Sequence, residues 1–259
     1  MSWFSRWRRA RILERHAIPL ADFDAAFARL PVLHRLDALE RARLREAASL
    51  FLHDKAFSAA GGAEVDDATQ LAIALQACLL TLNLGEGSYR GWSEIILYPD
   101  EFLRPHDEMD EAGVVHHSRD ILAGESWHGG PLVLSLADVA ASGQADGVNV
   151  VLHEFAHKLD MLNGDANGYP PLHRGMDAAA WAHDFSAAYA DLCARVDAGE
   201  DTAIDPYATA SPAEFFAVLT EVFFETPQLL DAEYPAVYRQ LQQFYRQRPL
   251  DRQEPQEHD

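Results

Sequence analysis

Five consecutive residues carry the strongest chemical signal in the chain. They are His153, Glu154, Phe155, Ala156 and His157, which form an HExxH pattern. On an α-helix, side chains four positions apart share a face, so the two imidazoles can bind one metal ion. The glutamate beside them can accept a proton from a water at the metal. The pattern therefore predicts a zinc site that carries its own general base.

The sequence around this pattern predicts a buried helix. Apolar residues dominate positions 149–152 and 159–162, so the segment is apolar on nearly every side. Burying two imidazoles and a carboxylate without partners would be costly, and a metal ion supplies the missing partner. Asp146 or Asn149 can cap the start of the helix, and residues 163–164, Asn-Gly, can end it.

A catalytic zinc site requires three protein ligands and a water, so a third ligand must lie elsewhere. The metzincin pattern is excluded, because Asp160 and Asn163 occupy the positions where it requires glycine and histidine. Asp160 follows His157 by about one helical turn. It can orient a histidine, ligate the zinc itself, or lie at the helix end as an ordinary carboxylate.

The best downstream candidates lie in a second predicted helix. Ser211 and Pro212 are typical of the N-cap and the first position of a helix, which makes Glu214 its third residue. Ser-x-x-Glu is also a capping box, in which Glu214 would bind only a backbone N–H. Glu221 lies two turns later on the same face, as a rival ligand or as a partner of a ligand. Spacing alone does not choose between Glu214 and Glu221.

These segments resemble the Mlc titration factor A family of bacterial zinc peptidases. The likeness rests on residues 153–160, 205–207 and 211–218, together with 124–127 and 130–135, and it extends from about residue 20 to about residue 245. In that family, and in the similar catalytic domain of anthrax lethal factor, a downstream glutamate completes the zinc site. That glutamate follows a catalytic tyrosine by seven residues, and Tyr207 and Glu214 have this spacing.

The resemblance implies a gluzincin-like site with a role for each of five residues. His153, His157 and Glu214 would hold one zinc ion, Glu154 would act as general base, and Tyr207 would donate a hydrogen bond in the transition state. It also implies aminopeptidase-like hydrolysis of peptides or proteins, and binding of the Mlc repressor of glucose-uptake genes. The alternative is a regulatory protein that mainly binds the repressor, with slow or conditional proteolysis. A zinc hydrolase that is not a peptidase is less well supported, because no motif for nucleotide or phosphate substrates is present.

The composition narrows the class of protein. The formal net charge is -20, which argues against direct nucleic-acid binding but could complement the basic face of a DNA-binding repressor. No apolar run is long enough to span a membrane, and the start lacks the apolar core of a signal peptide. We therefore expect a cytoplasmic protein in which Cys78 and Cys193 are reduced core residues, with a single disulfide as the weaker alternative.

The expected fold is α+β: a mostly helical, zincin-like peptidase with a small mixed β-sheet and an HExxH helix. The peptidase domain is predicted at 21–250, between a basic, flexible segment at 1–20 and an acidic, disordered tail at 251–259. The basic segment could dock on a lipid surface or an acidic partner, or pair with the acidic body of the chain itself.

The periodicity of apolar residues predicts the individual elements. Helices are expected at 21–30, 37–55, 66–80, 177–196, 212–224 and 236–247, and strands at 94–98, 114–116 and 132–136. The helix at 66–80 is apolar enough to pack against the HExxH helix. The segment 130–136 is predicted to be an edge strand that pairs with an extended peptide, or otherwise an ordinary core strand.

Overall fold

The computed structural model describes residues 3–85, 87–99 and 130–252. Its α-helices within these ranges are α1 (Trp3–His16), α2 (Leu20–Ala28), α3 (Ala38–Asp54), α4 (Asp67–Thr81), α5 (Leu136–Ala141), α6 (Val150–Asp160), α7 (Ala178–Asp197), α8 (Pro212–Glu225), α9 (Pro227–Glu233) and α10 (Pro235–Tyr245). The strands are β1 (Ala56–Ala59), β2 (Glu94–Tyr98) and β3 (Leu132–Ser135). The α+β class and the predominance of helix are therefore confirmed.

The three strands form one sheet in the order β1-β2-β3, and both pairs are parallel. We expected a mixed sheet, whereas the described strands are all parallel. Strand β1 was not predicted, and the strand predicted at 114–116 lies outside the described residues. Strand β3 is an outer strand of the described sheet, as an edge strand should be. It ends one residue before the predicted end, because Ser135 caps α5 with its hydroxyl.

Helix α6 packs between α4 and α8, and most of its residues are buried. Both neighbours are mostly apolar, and every residue of α8 from Ala213 to Glu225 is buried. The predicted packing of the helix at 66–80 against the HExxH helix is thus confirmed. Cys78 and Cys193 are both free, and Cys78 is buried. Among the described residues, no helix has the length and apolarity required to cross a bilayer.

Side-chain caps explain where several helices begin. Asp37 forms a full capping box with Glu40 at the start of α3, and Asp66 and Asp177 cap α4 and α7. An acceptor at the N-cap satisfies a backbone N–H that the helix leaves unpaired. The observed bounds of α2, α3, α4, α7, α8 and α10 lie within two residues of the predicted ones. Helices α1, α5 and α9 were not predicted.

The basic N-terminal segment is helical rather than irregular. Ile12 is buried on the inner face of α1. Arg8 and Arg9 bind Asp54 and Glu46 of α3 at 3.0 and 2.6 Å. The segment therefore pairs with the acidic body, which was one of the expected alternatives. The domain boundaries stay predictions, and the acidic tail beyond residue 252 lies outside the described residues.

Candidate metal centre

The N-cap of α6 sets the orientation of the HExxH helix. Asn149 is fully buried, and its Oδ1 accepts the N–H of Leu152 at 2.9 Å. Of the two predicted caps, the structure therefore selects Asn149. In this orientation His153 and His157 are buried, whereas Glu154 stays partly exposed. A carboxylate at the helix surface beside two buried imidazoles is accessible to a water and a substrate.

Helix α8 brings Glu214 to the histidines. Ser211 caps this helix by accepting the N–H of Glu214 at 3.2 Å, and Pro212 occupies its first position. The Glu214 carboxylate contacts both imidazoles of the HExxH motif. The serine therefore performs the capping that the sequence suggested, while the glutamate side chain reaches the neighbouring helix.

Three potential ligand atoms converge between α6 and α8. The Nε2 of His153 lies 3.2 Å from the Nε2 of His157 and 2.9 Å from Oε2 of Glu214, and the latter two atoms are 3.5 Å apart. A tetrahedral zinc with bonds of about 2.0–2.1 Å holds its ligand atoms about 3.3 Å apart. The two nitrogens and the oxygen therefore already have the mutual spacing of a metal site. No other group of three His, Cys, Asp or Glu with ligand spacing was found among the described residues.

The electrostatics of the cluster also fit a cation. Burial alone would lower the pKa of His153, but hydrogen bonds with Glu214 and Glu221 outweigh it and raise that pKa to about 10. Burial would raise the pKa of Glu214, but hydrogen bonds with His153 and His157 hold it below its ordinary value. The surroundings therefore favour positive charge at the point where the three atoms meet. A metal ion would take the place of a proton there.

Tyr207 and Glu154 flank this cluster. Tyr207 lies in a short 3-10 helix, Pro206–Thr209, whose start is capped by Asp205. Its ring centroid is 6.2 Å from that of His153, and the residue is partly exposed. The structure thus brings His153, His157 and Glu214 together, places the ring of Tyr207 near that of His153, and leaves Glu154 next to His153 on α6.

The family of the chain follows from a comparison with known proteins. A model of the glucose-regulated metallo-peptidase M90 family matches residues 4–246. The chain belongs to this family. Membership in the M90 family implies a metal ion, and the His153–His157–Glu214 cluster is where the described residues can hold one. The resemblance stated from the sequence is confirmed.

Several curated proteins are similar along nearly the whole chain. Mlc titration factor A of Salmonella gallinarum is 41% identical over 251 residues, which cover 95% of this chain and 92% of the relative. Its counterpart in Salmonella arizonae is 43% identical over 235 residues, covering 89% and 92%. The protein of Salmonella typhimurium is 41% identical over 251 residues, with the same coverage as the first.

In this M90 member, Glu221 lies behind the cluster rather than in it. Its Oε1 accepts a hydrogen bond from Nδ1 of His153 at 2.7 Å, and its Oε2 accepts the N–H of Asn149. A carboxylate can only accept, so Nδ1 of His153 carries the proton and Nε2 faces Glu214. The structure therefore separates the two candidates that spacing left open. Glu214 meets the Nε2 atoms, and Glu221 orients one imidazole.

Asp160 binds the backbone of the loop that follows α6. Its Oδ2 accepts the backbone N–H groups of Asn167 and Gly168, each at 2.7 Å. Its Oδ1 and the Nδ1 of His157 are buried, and neither has a hydrogen-bond partner within the described part of the chain. Of the roles that the sequence left open for Asp160, a hydrogen bond that orients a histidine is therefore not formed among the described residues. The carboxylate instead fixes the loop that follows α6.

That loop presses against the helix that carries Glu214. Gly168 has a positive φ of 76°, and a Cβ added to it would lie 2.4 Å from the carbonyl oxygen of Pro212. The indole N–H of Trp181 donates to the Gly168 carbonyl at 3.3 Å, which holds the loop from the other side. Sequence reasoning missed this contact. The glycine after the HExxH helix was its only signal, and nothing in the sequence indicated its partner.

A buried lysine connects α6 to the edge strand. Lys158 donates a hydrogen bond from Nζ to the carbonyl of Gly130 at 3.0 Å, just before β3 begins. The same ammonium lies 5.3 Å from the ring centroid of Trp92. Burial lowers the pKa of Lys158, while the charge of Glu154 opposes that shift. The available signal was a lysine next to His157 in a helix that is predicted to be buried, and the sequence analysis did not use it.

Proposed function

We propose that this protein is a zinc-dependent peptidase with aminopeptidase-like activity, in which His153, His157 and Glu214 are the zinc ligands. The observation that supports this most is the mutual spacing of 2.9–3.5 Å among Nε2, Nε2 and Oε2 in a largely buried cluster. Two imidazoles and one carboxylate form a ligand set typical of catalytic zinc. When bound, the ion would polarise the scissile carbonyl and acidify a water.

Proton transfer is assigned to Glu154. The carboxylate is partly exposed and adjoins His153 in the chain, so it borders both the cluster and the solvent. It would accept a proton from the attacking water and deliver it to the leaving amine. This role requires no hydrogen bond to a ligand histidine, which agrees with the position of Glu154 at the helix surface.

Tyr207 is assigned to the transition state. A phenol hydroxyl next to the cluster can donate a hydrogen bond to the oxygen that becomes negative when the carbonyl is attacked. Such a bond forms mainly in the transition state, so it raises kcat more than it lowers KM. The ring centroid separation of 6.2 Å from His153 supports this placement.

The substrate backbone is assigned to β3. An extended peptide can add as a strand to an exposed sheet edge, because unpaired N–H groups there donate main-chain hydrogen bonds and unpaired C=O groups accept them. The bond from Lys158 to the Gly130 carbonyl fixes the start of this strand to the metal-binding helix. The edge and the cluster would therefore keep a constant separation.

The test is hydrolysis of fluorogenic peptides of equal sequence with free and with blocked N-termini, after zinc content has been measured. We expect about one zinc per chain and faster cleavage of the free peptides. Cleavage of blocked peptides at the same rate would contradict the aminopeptidase assignment and indicate endopeptidase activity. Failure to bind zinc would contradict the proposal as a whole.

A second candidate function comes from the relatives, which are named Mlc titration factor A. We propose that this chain also binds a repressor of the Mlc type, supported by a net charge of -20 that suits a basic DNA-binding partner. A pull-down tests this by asking whether the wild type and the Glu154→Gln variant each retain purified repressor. If both proteins retain it, binding is independent of catalysis, and if neither does, the proposal is contradicted.

A further inference from the structure

Three glutamates of α8 lie along one stripe that faces α6. Glu214, Glu221 and Glu225 are seven and four residues apart, spacings that place them on the same side of a helix. Glu214 contacts the Nε2 atoms of the histidines, and Glu221 accepts from Nδ1 of His153. Glu225, the third member, forms no hydrogen bond with either histidine among the described residues. Its partner is the N-cap of α6.

Asn149 connects this third glutamate to the metal centre. Its side-chain Nδ2 donates to Oε1 of Glu225 at 2.6 Å and to Oε1 of Gln76 at 2.7 Å. Its backbone N–H donates to Glu221, and the other oxygen of Glu221 accepts from His153. A continuous line of hydrogen bonds thus runs from α4 and the end of α8, through the start of α6, to one imidazole of the cluster.

This network is not explained by stability alone. Gln76, Asn149, Glu221 and Glu225 are all buried, and Oε2 of Glu225 has no hydrogen-bond partner among the described residues. Buried polar groups with incomplete partners destabilise a fold relative to apolar packing. A requirement for precise geometry at a functional site is the usual reason to retain such a group.

We propose that Glu225 and Gln76 are positioning residues of the metal centre. By binding both hydrogens of the Asn149 amide, they hold the Asn149 backbone where its N–H fixes Glu221 against His153. The inference rests on the proposed function of His153 as a zinc ligand. It goes further by assigning a role to residues that contact neither metal ligand nor substrate.

The test compares three variants of the full chain. Glu225→Leu removes the acceptor with little change in volume, whereas Glu225→Gln keeps an acceptor oxygen. Thr220→Val is the control, because it removes a different buried hydrogen bond of α8, the one between Thr220 and Tyr245. Zinc affinity is measured by competition with a chromophoric chelator. The exchange of the His153 Nδ1 proton is followed by NMR with isotope-labelled histidine, with and without zinc.

Glu225→Leu should weaken zinc affinity about three- to tenfold, less than the 10–100-fold typical of a direct partner of a ligand. It should also accelerate exchange of the Nδ1 proton. Glu225→Gln should restore both values to within about twofold of the wild type, and Thr220→Val should lower Tm without changing either. Wild-type affinity and exchange in Glu225→Leu would overturn the proposal.

If Glu225→Leu does not fold, Asn149→Ser replaces it. Serine keeps a capping oxygen and the backbone N–H but lacks the two hydrogens that Glu225 and Gln76 accept. We expect the same weaker zinc affinity and faster exchange of the His153 Nδ1 proton, and wild-type values of both would again overturn the inference. A wild-type chain that binds no zinc would contradict the proposed function, whereas proton exchange at His153 would still test the positioning network.

Discussion

Replacing Gly168 by alanine tests whether the loop after α6 sets the position of Glu214. The residue has a φ of 76°, and the new Cβ would lie 2.4 Å from the Pro212 carbonyl oxygen, where 3.4–4 Å is ordinary contact. Either the loop or the first turn of α8 must therefore move by about 1 Å. Glu214 lies in that turn, so the displacement should reach the metal cluster.

The cost of this substitution has two parts that a matched control separates. A left-handed backbone costs a non-glycine residue about 1–2 kcal/mol. The close contact adds about 1–3 kcal/mol. Gly199 has a φ of 74° with no atom within 4 Å of its added Cβ, so Gly199→Ala carries only the backbone cost. At about 2–4 °C per kcal/mol, we expect Tm to fall by about 2–8 °C for Gly199→Ala and about 4–20 °C for Gly168→Ala.

The assays are thermal unfolding by circular dichroism and zinc affinity by chelator competition. Gly168→Ala should show the larger loss of Tm and a weaker zinc affinity, because Pro212 and Glu214 share the displaced turn. Gly199→Ala should bind zinc like the wild type. Equal losses of Tm together with unchanged zinc affinity in both variants would refute the claim that Gly168 helps to position Glu214.

Three further predictions address the site and its surroundings. Glu214→Gln should weaken zinc binding strongly, whereas Ser211→Ala should cost only about 0.5–2 kcal/mol of unfolding free energy with zinc retained; equal zinc affinity in both would contradict a ligand role. Tyr207→Phe should lower kcat with zinc content, fold and KM preserved, and an unchanged kcat would exclude the oxyanion role. Burial raises the pKa of Glu225 to about 7 from an ordinary 4.5. As the pH rises from 4.5 to 7, the unfolded chain releases this proton while the folded chain keeps it, so the wild type loses stability over this range. The Glu225→Gln variant lacks this loss of stability. At saturating zinc, its unfolding free energy minus that of the wild type should rise by about 3 kcal/mol between pH 4.5 and 7 and stay constant above pH 7. A difference that does not change with pH, measured by chemical denaturation, would contradict this prediction.

The local features of the site could be read from the sequence because each depends on near neighbours in the chain. The HExxH spacing and the Ser211–Pro212 helix start follow from helix geometry alone, whereas the sequence left the cap of α6 open between Asp146 and Asn149. The choice between Glu214 and Glu221 did not follow from helix geometry. It depends on how α8 is rotated against α6, which packing sets, and only the family resemblance indicated Glu214 in advance.

The features that the sequence did not reveal depend on contacts between distant segments. Strand β1 is short and contains two alanines, and it forms by parallel pairing with β2 across helix α4. The bonds of Asn149 to Gln76 and Glu225 join residues 73 and 76 positions apart. The spacing of apolar residues along the sequence does not indicate such contacts between distant segments. Helix α1 was not predicted, because it has no acidic residue in its first turn to indicate a helix start and its arginines indicated a basic tail. A cytoplasmic location stays a prediction.

The most direct test of the central claim compares the wild type with Glu154→Gln at equal, measured zinc content on N-terminally free fluorogenic peptides. The account predicts that both proteins bind one zinc per chain, that the wild type cleaves the peptides, and that the variant loses nearly all turnover. Glutamine keeps the size of the side chain but cannot accept the proton. Turnover by Glu154→Gln at the wild-type rate, with zinc present in both, would contradict the account.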